Sequence, residues 1–304
     1  MCRLHQLHVQ PRLSAGTAAI IYTVSMLDLL KITIDPDFVH RCDALDGMRL
    51  FVDLERLGKA ERQAGRNTHI STHQIIDIAG VKARLKNSRL MVRVNPLHED
   101  SAAEIEAVLS QGLTQGTGPT ADLLMLPMFE NAQAVRRFAE IVDGRCPFVA
   151  LLETAGALAS IDEWIDTSGL HEVFVGLNDL HISLGMRFMF EPLATGIVDA
   201  VAASAKHRGL RFGFGGMARL NEGLLPGRDV LAEHLRLGSQ AVILSRNFAF
   251  ERAPADMTFE EEISALRQVE TELALRTPAQ IEADRIRIAQ DILAIAGRPS
   301  VSGY

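Results

Sequence analysis

The feature that most constrains the fold is a regular alternation of short apolar runs with amphipathic segments of helical length. Eight runs of five to seven residues lie between residues 29 and 245. Continuous apolar runs are typical of parallel strands that are covered on both faces. The predicted strands are Leu29–Ile34, Arg49–Asp53, Leu90–Asn95, Asp122–Met128, Pro147–Glu153, Glu172–Gly176, Leu210–Gly215 and Ala241–Ser245. Eight strand–helix units without a polar linker predict an α/β fold with one closed barrel, the (β/α)8 or TIM barrel.

The segments between these runs carry helix signals. Ser101 and Glu104 have the spacing of a capping box, which predicts a helix over Ala102–Gln111. Helices are also predicted over Ala132–Val142 and Glu191–His207, and a glycine stands shortly after each of them. These lengths fit the outer ring of helices that a closed parallel barrel requires.

Two more helical stretches, Phe259–Arg276 and Ala279–Ala296, follow the last predicted strand. The second carries isoleucines along one side, at Ile281, Ile288, Ile292 and Ile295. An apolar stripe on a helix outside the barrel packs either on its own barrel or on a neighbouring subunit, and the sequence leaves both alternatives open. The predicted organisation is an N-terminal extension over 1–25, a barrel over 26–256 and C-terminal helices over 257–304, which are a candidate oligomerisation element.

Composition excludes several classes of protein. The chain has 31 Lys and Arg against 38 Asp and Glu, a net charge of −7 that disfavours nucleic acid as a partner. No apolar run is long enough to span a bilayer, and the mildly apolar stretch before Asp28 lacks a small-x-small cleavage site. Three cysteines without a C-x-x-C spacing favour a reducing compartment. We therefore expect a cytoplasmic protein with no nucleic acid and no membrane partner.

Polar residues stand where the predicted strands end, which is where the active sites of TIM barrels lie. They are Asp53, Glu55, Arg93, Asn95, Glu153 and Asp179. Glu153 and Asp179 follow neighbouring strands, so their carboxylates converge and repel each other unless a cation lies between them. Oxygen ligands suit Mg2+ or Mn2+. The alternative is that each carboxylate caps a helix or pairs with a surface cation.

Arg93 lies in an otherwise apolar strand, within Met-Val-Arg-Val-Asn. A buried guanidinium needs an anion, and its fork fits a carboxylate. That anion is either the carboxylate of a substrate or an internal partner, Glu55 or Glu153. The glycines of Gly213–Gly216 suggest either a phosphate cradle or tight packing at a strand end, and the spacing favours packing.

At these positions the chain resembles the family of metal-dependent class II pyruvate aldolases and citrate lyase β subunits. The similarity extends from about the second strand to the eighth. Its most specific parts are Leu-Leu-Glu-Thr around Glu153 and Phe-Val-Gly-Leu-Asn-Asp-Leu around Asp179. Leu-Met-Leu-Pro-Met-Phe-Glu-Asn-Ala and Val-Arg-Val-Asn match in order and spacing as well.

This resemblance implies a barrel of the phosphoenolpyruvate and pyruvate-binding type. It implies that Glu153 and Asp179 bind a divalent metal, Mg2+ first and Mn2+ or Co2+ otherwise, and that Arg93 binds the carboxylate of a 2-oxo acid. Backbone near Gly176 and the side chain of Asn178 would complete the substrate site. The implied reaction breaks or forms a carbon–carbon bond through a pyruvate-type enolate.

One position departs from the family pattern. Many of these aldolases carry a histidine after the second strand as the general base, whereas this chain has Arg56 there, and arginine does not act as a base. We assign proton removal to a metal-bound water that Glu55 or Asp53 orients, and His98 is the alternative. Glu55, Asp53 and Arg93 are therefore the candidate catalytic residues.

The predicted protein is a lyase that acts on a hydroxylated 2-oxo acid or a related acyl-CoA. A metal-dependent 2-oxo-diacid decarboxylase and a non-catalytic metabolite-binding accessory subunit are the alternatives. Because members of the resembled family assemble through C-terminal helices, we expect a homo-oligomer, a trimer or a hexamer. The sequence does not specify the acceptor aldehyde or acyl group, because loop shape determines it.

Overall fold

A computed structural model describes residues 26–59, 71–111, 120–248 and 257–298. Eight parallel strands form one closed barrel in the order β1 to β8, in which β8 pairs with β1. The strands are β1 (Asp28–Ile32), β2 (Met48–Asp53), β3 (Arg89–Arg93), β4 (Leu123–Leu126), β5 (Phe148–Leu152), β6 (Leu170–Val175), β7 (Arg211–Phe214) and β8 (Ala241–Ile243). The predicted (β/α)8 barrel is confirmed, and the first residue of each strand lies within two residues of the predicted one.

Helices surround the barrel within the described residues. They are α1 (Pro36–Asp43), α2 (Ile75–Lys82), α3 (Ser101–Ser110), α4 (Ala132–Val142), α5 (Ala155–Ala159), α6 (Ile161–Trp164), α7 (Leu177–Ser183), α8 (Glu191–Ala194), α9 (Ile197–His207), α10 (Gly227–Leu237), α11 (Phe259–Ala274) and α12 (Pro278–Ala296). A short 3-10 helix, Arg246–Phe248, follows β8. The predicted extension over 1–25 lies outside the described residues.

Two helix predictions are wrong in detail. The single helix predicted over Glu191–His207 is divided into α8 and α9, because Gly196 between them has a φ of 77°, which breaks the helical hydrogen bonds. The predicted capping box of α3 does not form. Asp100 is the N-cap, and the Glu104 carboxylate accepts hydrogen bonds from the backbone and side chain of Asn95 instead.

Alternate residues of each strand point into the barrel and form layers along its axis. The middle is apolar and is filled by a buried cluster that is separate from the main core: Leu30, Phe51, Met91, Leu123, Met125, Val149, Leu151, Phe174 and Ala241. Since side chains alternate along a strand, residues two positions before and after this cluster also face the barrel axis. Both ends of the barrel therefore carry polar layers, which we call the amino end and the carboxyl end.

The C-terminal helices pack on their own barrel. Ile288 and Ile292 of α12 are buried against it, whereas Ile286 and Leu293 on the opposite side are about half exposed, at 44% and 52%. The isoleucine stripe thus has an intramolecular partner. No helix in the described part of the chain combines the length and apolar character that a membrane span requires.

Candidate active site

The carboxyl end of the barrel holds a buried cluster of charged residues that begins at the end of β2. Asp53 and Glu55 are 4% and 2% exposed. The Arg93 guanidinium donates from Nε and Nη2 to the two oxygens of Asp53, at 2.8 and 2.7 Å. Its Nη2 also lies 3.4 Å from Oε2 of Glu55. Burial alone would raise the pKa of Asp53, but the positive charges and hydrogen bonds of Arg93 and Lys59 hold it below its ordinary value.

Lys59 completes this cluster, although the strand-end pattern does not predict it. Its side chain is 6% exposed, and Nζ lies 3.1 Å from Oδ2 of Asp53 and 3.2 Å from Oε2 of Glu55. Lys59 follows the turn after β2, six residues beyond the last residue of the strand. The one available signal is its spacing four residues after Glu55, which is the spacing of an ion pair when the chain turns.

Glu153 lies at the end of β5 and is 3% exposed. Its Oε1 accepts the backbone N–H of Met128 at 3.0 Å. Met128 has a φ of 52°, an uncommon backbone conformation for a residue other than glycine. On the other side, a Cβ at Gly176 would lie 2.7 Å from Oε2 of Glu153, so only glycine lets β6 approach this carboxylate. The chain after β4 therefore bonds the Glu153 carboxylate, and the chain after β6 leaves room for it.

The electrostatic environment of Glu153 is unfavourable for a carboxylate. Burial, followed by the negative charges of Glu55 and Asp179, raises its pKa well above the ordinary value, against the opposing charge of Arg93. Asp179 is half-buried in the first turn of α7, directly after β6. The structure thus brings Glu153 and Asp179 within electrostatic range of each other, as their strand positions predict.

The donor set fits a hard divalent cation. Among the described residues, four acids lie at this end of the barrel beside Arg93 and Lys59: Asp53, Glu55, Glu153 and Asp179. Carboxylate oxygens are the ligands that Mg2+ and Mn2+ prefer. Among the described residues no group of three or more His, Cys, Asp or Glu is placed to hold a metal ion by itself. A cation held by Glu153 and Asp179 would therefore take its other ligands from water and substrate oxygens.

The structure gives Arg93 an internal partner. We predict either a substrate carboxylate or an internal ion pair with Glu55 or Glu153, and the observed bidentate pair is with Asp53. Within the described residues, the hydrogen bonds and ion pairs of Arg93 involve Nε and Nη2 and not Nη1. A substrate carboxylate can therefore meet Nη1 without displacing Asp53.

The remaining predicted residues lie around this cluster. Gly176 borders Glu153 and leaves room for its carboxylate. The N–H of Gly176 donates to the carbonyl of Leu152 at 2.9 Å, so this amide is not available to a substrate. Asn178 is half-buried in the first turn of α7, next to Asp179. His98 lies in the loop before α3. Its Nδ1 is 3.0 Å from the carbonyl oxygen of Pro96 and contacts Ser101, the first residue of that helix.

Asn95 and Arg56 organise the loop after β2. The side-chain oxygen of Asn95 accepts the N–H groups of Arg56 and Leu57, at 2.8 and 3.0 Å. The Arg56 guanidinium donates to the carbonyl of His73, and Nδ1 of His73 accepts the N–H of Asp53 at 3.1 Å. The sequence does not predict this role of His73, because it follows β2 by 20 residues along the chain. Arg56 thus fixes the backbone of the loop that carries Glu55.

The glycines in and just after β7 allow close packing where neighbouring atoms surround them. A Cβ at Gly213 would lie 2.7 Å from both the carbonyl of Ala241 and the ring of Phe174. Gly215 has a φ of 48° and faces Leu177. The preference for tight packing at this strand end is borne out for these two glycines.

The fold and the cluster define a (β/α)8 barrel whose carboxyl end carries a group of acids around Glu153. Comparisons with known proteins give similarities of sequence and of fold. No protein-family model matches the sequence. A curated relative, a hydroxypyruvate/pyruvate aldolase of Rhizorhabdus wittichii, is 35% identical over 79 residues, which are 24% of this chain and 32% of the relative. The match thus spans about a third of that relative's length.

Solved structures match over most of their length. An HpcH/HpaI aldolase of Desulfitobacterium hafniense has a TM-score of 0.55 and 17% identity, covering 82% of this chain and 94% of its own. A citrate lyase β subunit of Mycobacterium tuberculosis, complexed with oxaloacetate and magnesium, has a TM-score of 0.51 and 16% identity, covering 83% and 98%. At these identities the structures establish a shared fold. The relatives come from the family that the strand-end motifs resemble, which confirms the resemblance.

Proposed function

We propose that the protein is a metal-dependent carbon–carbon lyase that cleaves or forms a hydroxylated 2-oxo acid or a related acyl-CoA. The observation that carries the proposal is the buried Glu153 carboxylate, which lies within electrostatic range of Glu55 and Asp179 at the carboxyl end. Burying a carboxylate beside like charges is unfavourable, and a bound divalent cation would offset this cost. The aldolase and citrate lyase relatives support this choice of chemistry.

Glu153 and Asp179 would hold the ion. When bound, a divalent ion supplies a Lewis acid that stabilises the negative charge developing on a 2-oxo acid as the carbon–carbon bond breaks. Nη1 of Arg93 would bind the substrate carboxylate and orient it. Gly176 and Asn178 border the position that the rest of the substrate would occupy.

Proton removal from the substrate hydroxyl falls to Glu55 in this proposal. Asp53 is the poorer base, because both of its oxygens accept hydrogen bonds from cations and its pKa is lowered. Nδ1 of His98 lies against a loop carbonyl and Ser101, which favours a structural role for this ring. Glu55 is the better placed of the two acids, because the contact of Arg93 with its Oε2, at 3.4 Å, is longer than the two contacts of Arg93 with Asp53.

The test measures Mn2+ binding by electron paramagnetic resonance and product formation from a panel of hydroxylated 2-oxo acids and CoA thioesters. Metal-stripped protein should be inactive, and Mg2+, Mn2+ or Co2+ should restore cleavage. Glu153→Gln and Asp179→Asn should lose Mn2+ binding, whereas Asp162→Asn, an exposed acid, should not. Full activity in metal-stripped protein would reject the proposal. Release of carbon dioxide without an aldehyde or acyl product would indicate a decarboxylase, and binding without turnover an accessory subunit.

The assembly and the location stay predictions. We propose a homo-oligomer, a trimer or a hexamer, in the cytoplasm. Because the isoleucine stripe of α12 packs on its own barrel, an oligomer interface would use the outer side of this helix, where Ile286 and Leu293 are exposed. Light scattering at micromolar concentration tests the assembly, and a monomer would contradict it.

A further inference from the structure

Two cations share the same pair of acids at the carboxyl end. The Lys59 ammonium and the Arg93 guanidinium both contact Oδ2 of Asp53, at 3.1 and 2.7 Å, and Oε2 of Glu55, at 3.2 and 3.4 Å. All four side chains are largely buried, with exposed fractions between 2% and 14%. The four charges sum to zero, so this quartet is balanced before any substrate enters.

A substrate carboxylate disturbs this balance. Arg93 is the cation that would receive it, yet Arg93 already holds Asp53 through two hydrogen bonds. Without Lys59, Asp53 and Glu55 would lose a cation that contacts both of them, and the substrate carboxylate would add a third negative charge beside Arg93. Because like charges in a buried site repel strongly, the two resident acids would then exclude the substrate carboxylate.

We propose that Lys59 is a positioning residue that compensates Asp53 and Glu55, so that Arg93 can bind the carboxylate of a 2-oxo acid. This inference rests on the proposed function and adds a residue to it. Lys59 itself need not touch the substrate, because within the described residues its ammonium group pairs with the two acids, Asp53 and Glu55. Its role is to set the charge of the quartet.

The role predicts effects of opposite sign on two ligands. Replacing Lys59 by an uncharged side chain makes the site one unit more negative. A divalent cation should then bind more tightly, and a carboxylate ligand should bind more weakly. A loss of local structure would instead weaken both ligands, since both depend on the same strand ends.

The experiment uses the full chain with Mn2+ and oxalate, a planar dicarboxylate that mimics a 2-oxo-acid enolate. Mn2+ affinity is measured by electron paramagnetic resonance, and oxalate affinity by calorimetry at saturating Mn2+. For Lys59→Met we expect the Kd of oxalate to rise at least about tenfold and the Kd of Mn2+ to fall about threefold. Lys59→Arg restores the charge and should return both constants to within about threefold of the wild-type values.

Lys82→Met is the matched control. Lys82 also forms an ion pair, with Nζ 2.6 Å from the carboxylate of Asp122, but it lies at the amino end of the barrel. Lys82→Met should leave the Kd values of Mn2+ and of oxalate unchanged. Lys59→Gln, which keeps a hydrogen-bond donor without the charge, repeats the measurement if Lys59→Met does not fold.

Two failures are distinguishable. If the wild-type protein binds Mn2+ and oxalate, but uncharged variants of Lys59 weaken both ligands or alter neither, the role of Lys59 is overturned and the proposed function stands. If the wild-type protein does not bind Mn2+, the proposed function fails, and this inference fails with it.

Discussion

The two ends of the barrel carry similar residues in opposite states of charge. At the amino end, Arg49 and Arg211 both bond the carboxylates of Asp28 and Glu172. Arg89, the strand neighbour of Arg49, adds a further positive charge. Among the described residues, the inner layer around Glu172 at the amino end therefore holds three arginines and two acids, whereas the cluster at the carboxyl end holds four acids and two cations.

This difference indicates that the amino end serves stability and the carboxyl end serves chemistry. Glu172 and Arg49 are 0% and 1% exposed and are paired, so the amino end is a closed polar plug under the apolar middle of the barrel. At the carboxyl end, Glu153 is buried close to other acids, and its pKa is raised by burial and by their like charges. Proteins retain such unfavourable charge where it has a function.

The largest expected effect lies at the amino end. Arg49→Met leaves Glu172 buried beside Arg211 alone, and loss of one partner from a buried ion pair costs about 3–5 kcal/mol. Urea denaturation should show this loss in the free energy of unfolding, with Mn2+ affinity of the folded fraction unchanged. The exposed Arg137→Met is the control. A loss below about 1 kcal/mol would contradict the assignment of this end to stability.

Next in size is the effect of Arg93→Lys at the carboxyl end. Lysine keeps the charge but loses the forked geometry that serves Asp53 and the substrate together, so kcat/KM should fall about a hundredfold. Because the charge remains, the free energy of unfolding should fall by less than about 1.5 kcal/mol. Steady-state kinetics and urea denaturation measure the two quantities. A large stability loss with unchanged KM would make Arg93 a purely structural residue.

A smaller effect comes from the cation itself. A ligand at ten times its Kd stabilises the folded state by about 1.4 kcal/mol, because it binds only the folded protein. Mg2+ or Mn2+ should therefore raise the melting temperature of the wild-type protein. The same addition should leave Glu153→Gln unchanged. An equal increase in both proteins would place the cation elsewhere.

The smallest effect is a dependence of stability on pH. The pKa of Glu153 is raised in the folded state, so the folded protein holds a proton that the unfolded chain releases above its ordinary pKa of about 4.5. The stability of metal-free protein should consequently decrease as the pH rises through the folded pKa. Glu153→Gln should reduce this slope, and so should a saturating divalent cation. Melting curves at a series of pH values test this, and identical slopes in both proteins would contradict it.

Much of this arrangement could be predicted from the sequence, because strand ends are set by local pattern. The alternation of side chains places Arg93 and Glu153 on the inner face once the strands are located. Other features depend on loop conformation. Lys59 reaches Asp53 only because the chain turns after Glu55, and Glu104 bonds Asn95 because the loop after β3 brings them together. The choice of Asp53 as the partner of Arg93 reflects their register, since the two residues are Cα neighbours across β2 and β3.

The join between the first strand and α11 has a consequence for the order of folding. The N–H of Leu27 donates to the Glu270 carboxylate at 2.8 Å, and Arg267 bonds the carbonyl of Leu27. β1 also pairs with β8, which lies more than 200 residues away along the chain. β1 pairs with the nearby β2 as well, but closing the barrel requires its pairing with β8, and such distant contacts form slowly. During synthesis, the barrel cannot close at β1 until β8 has been made, and the contacts of Leu27 with α11 form later still.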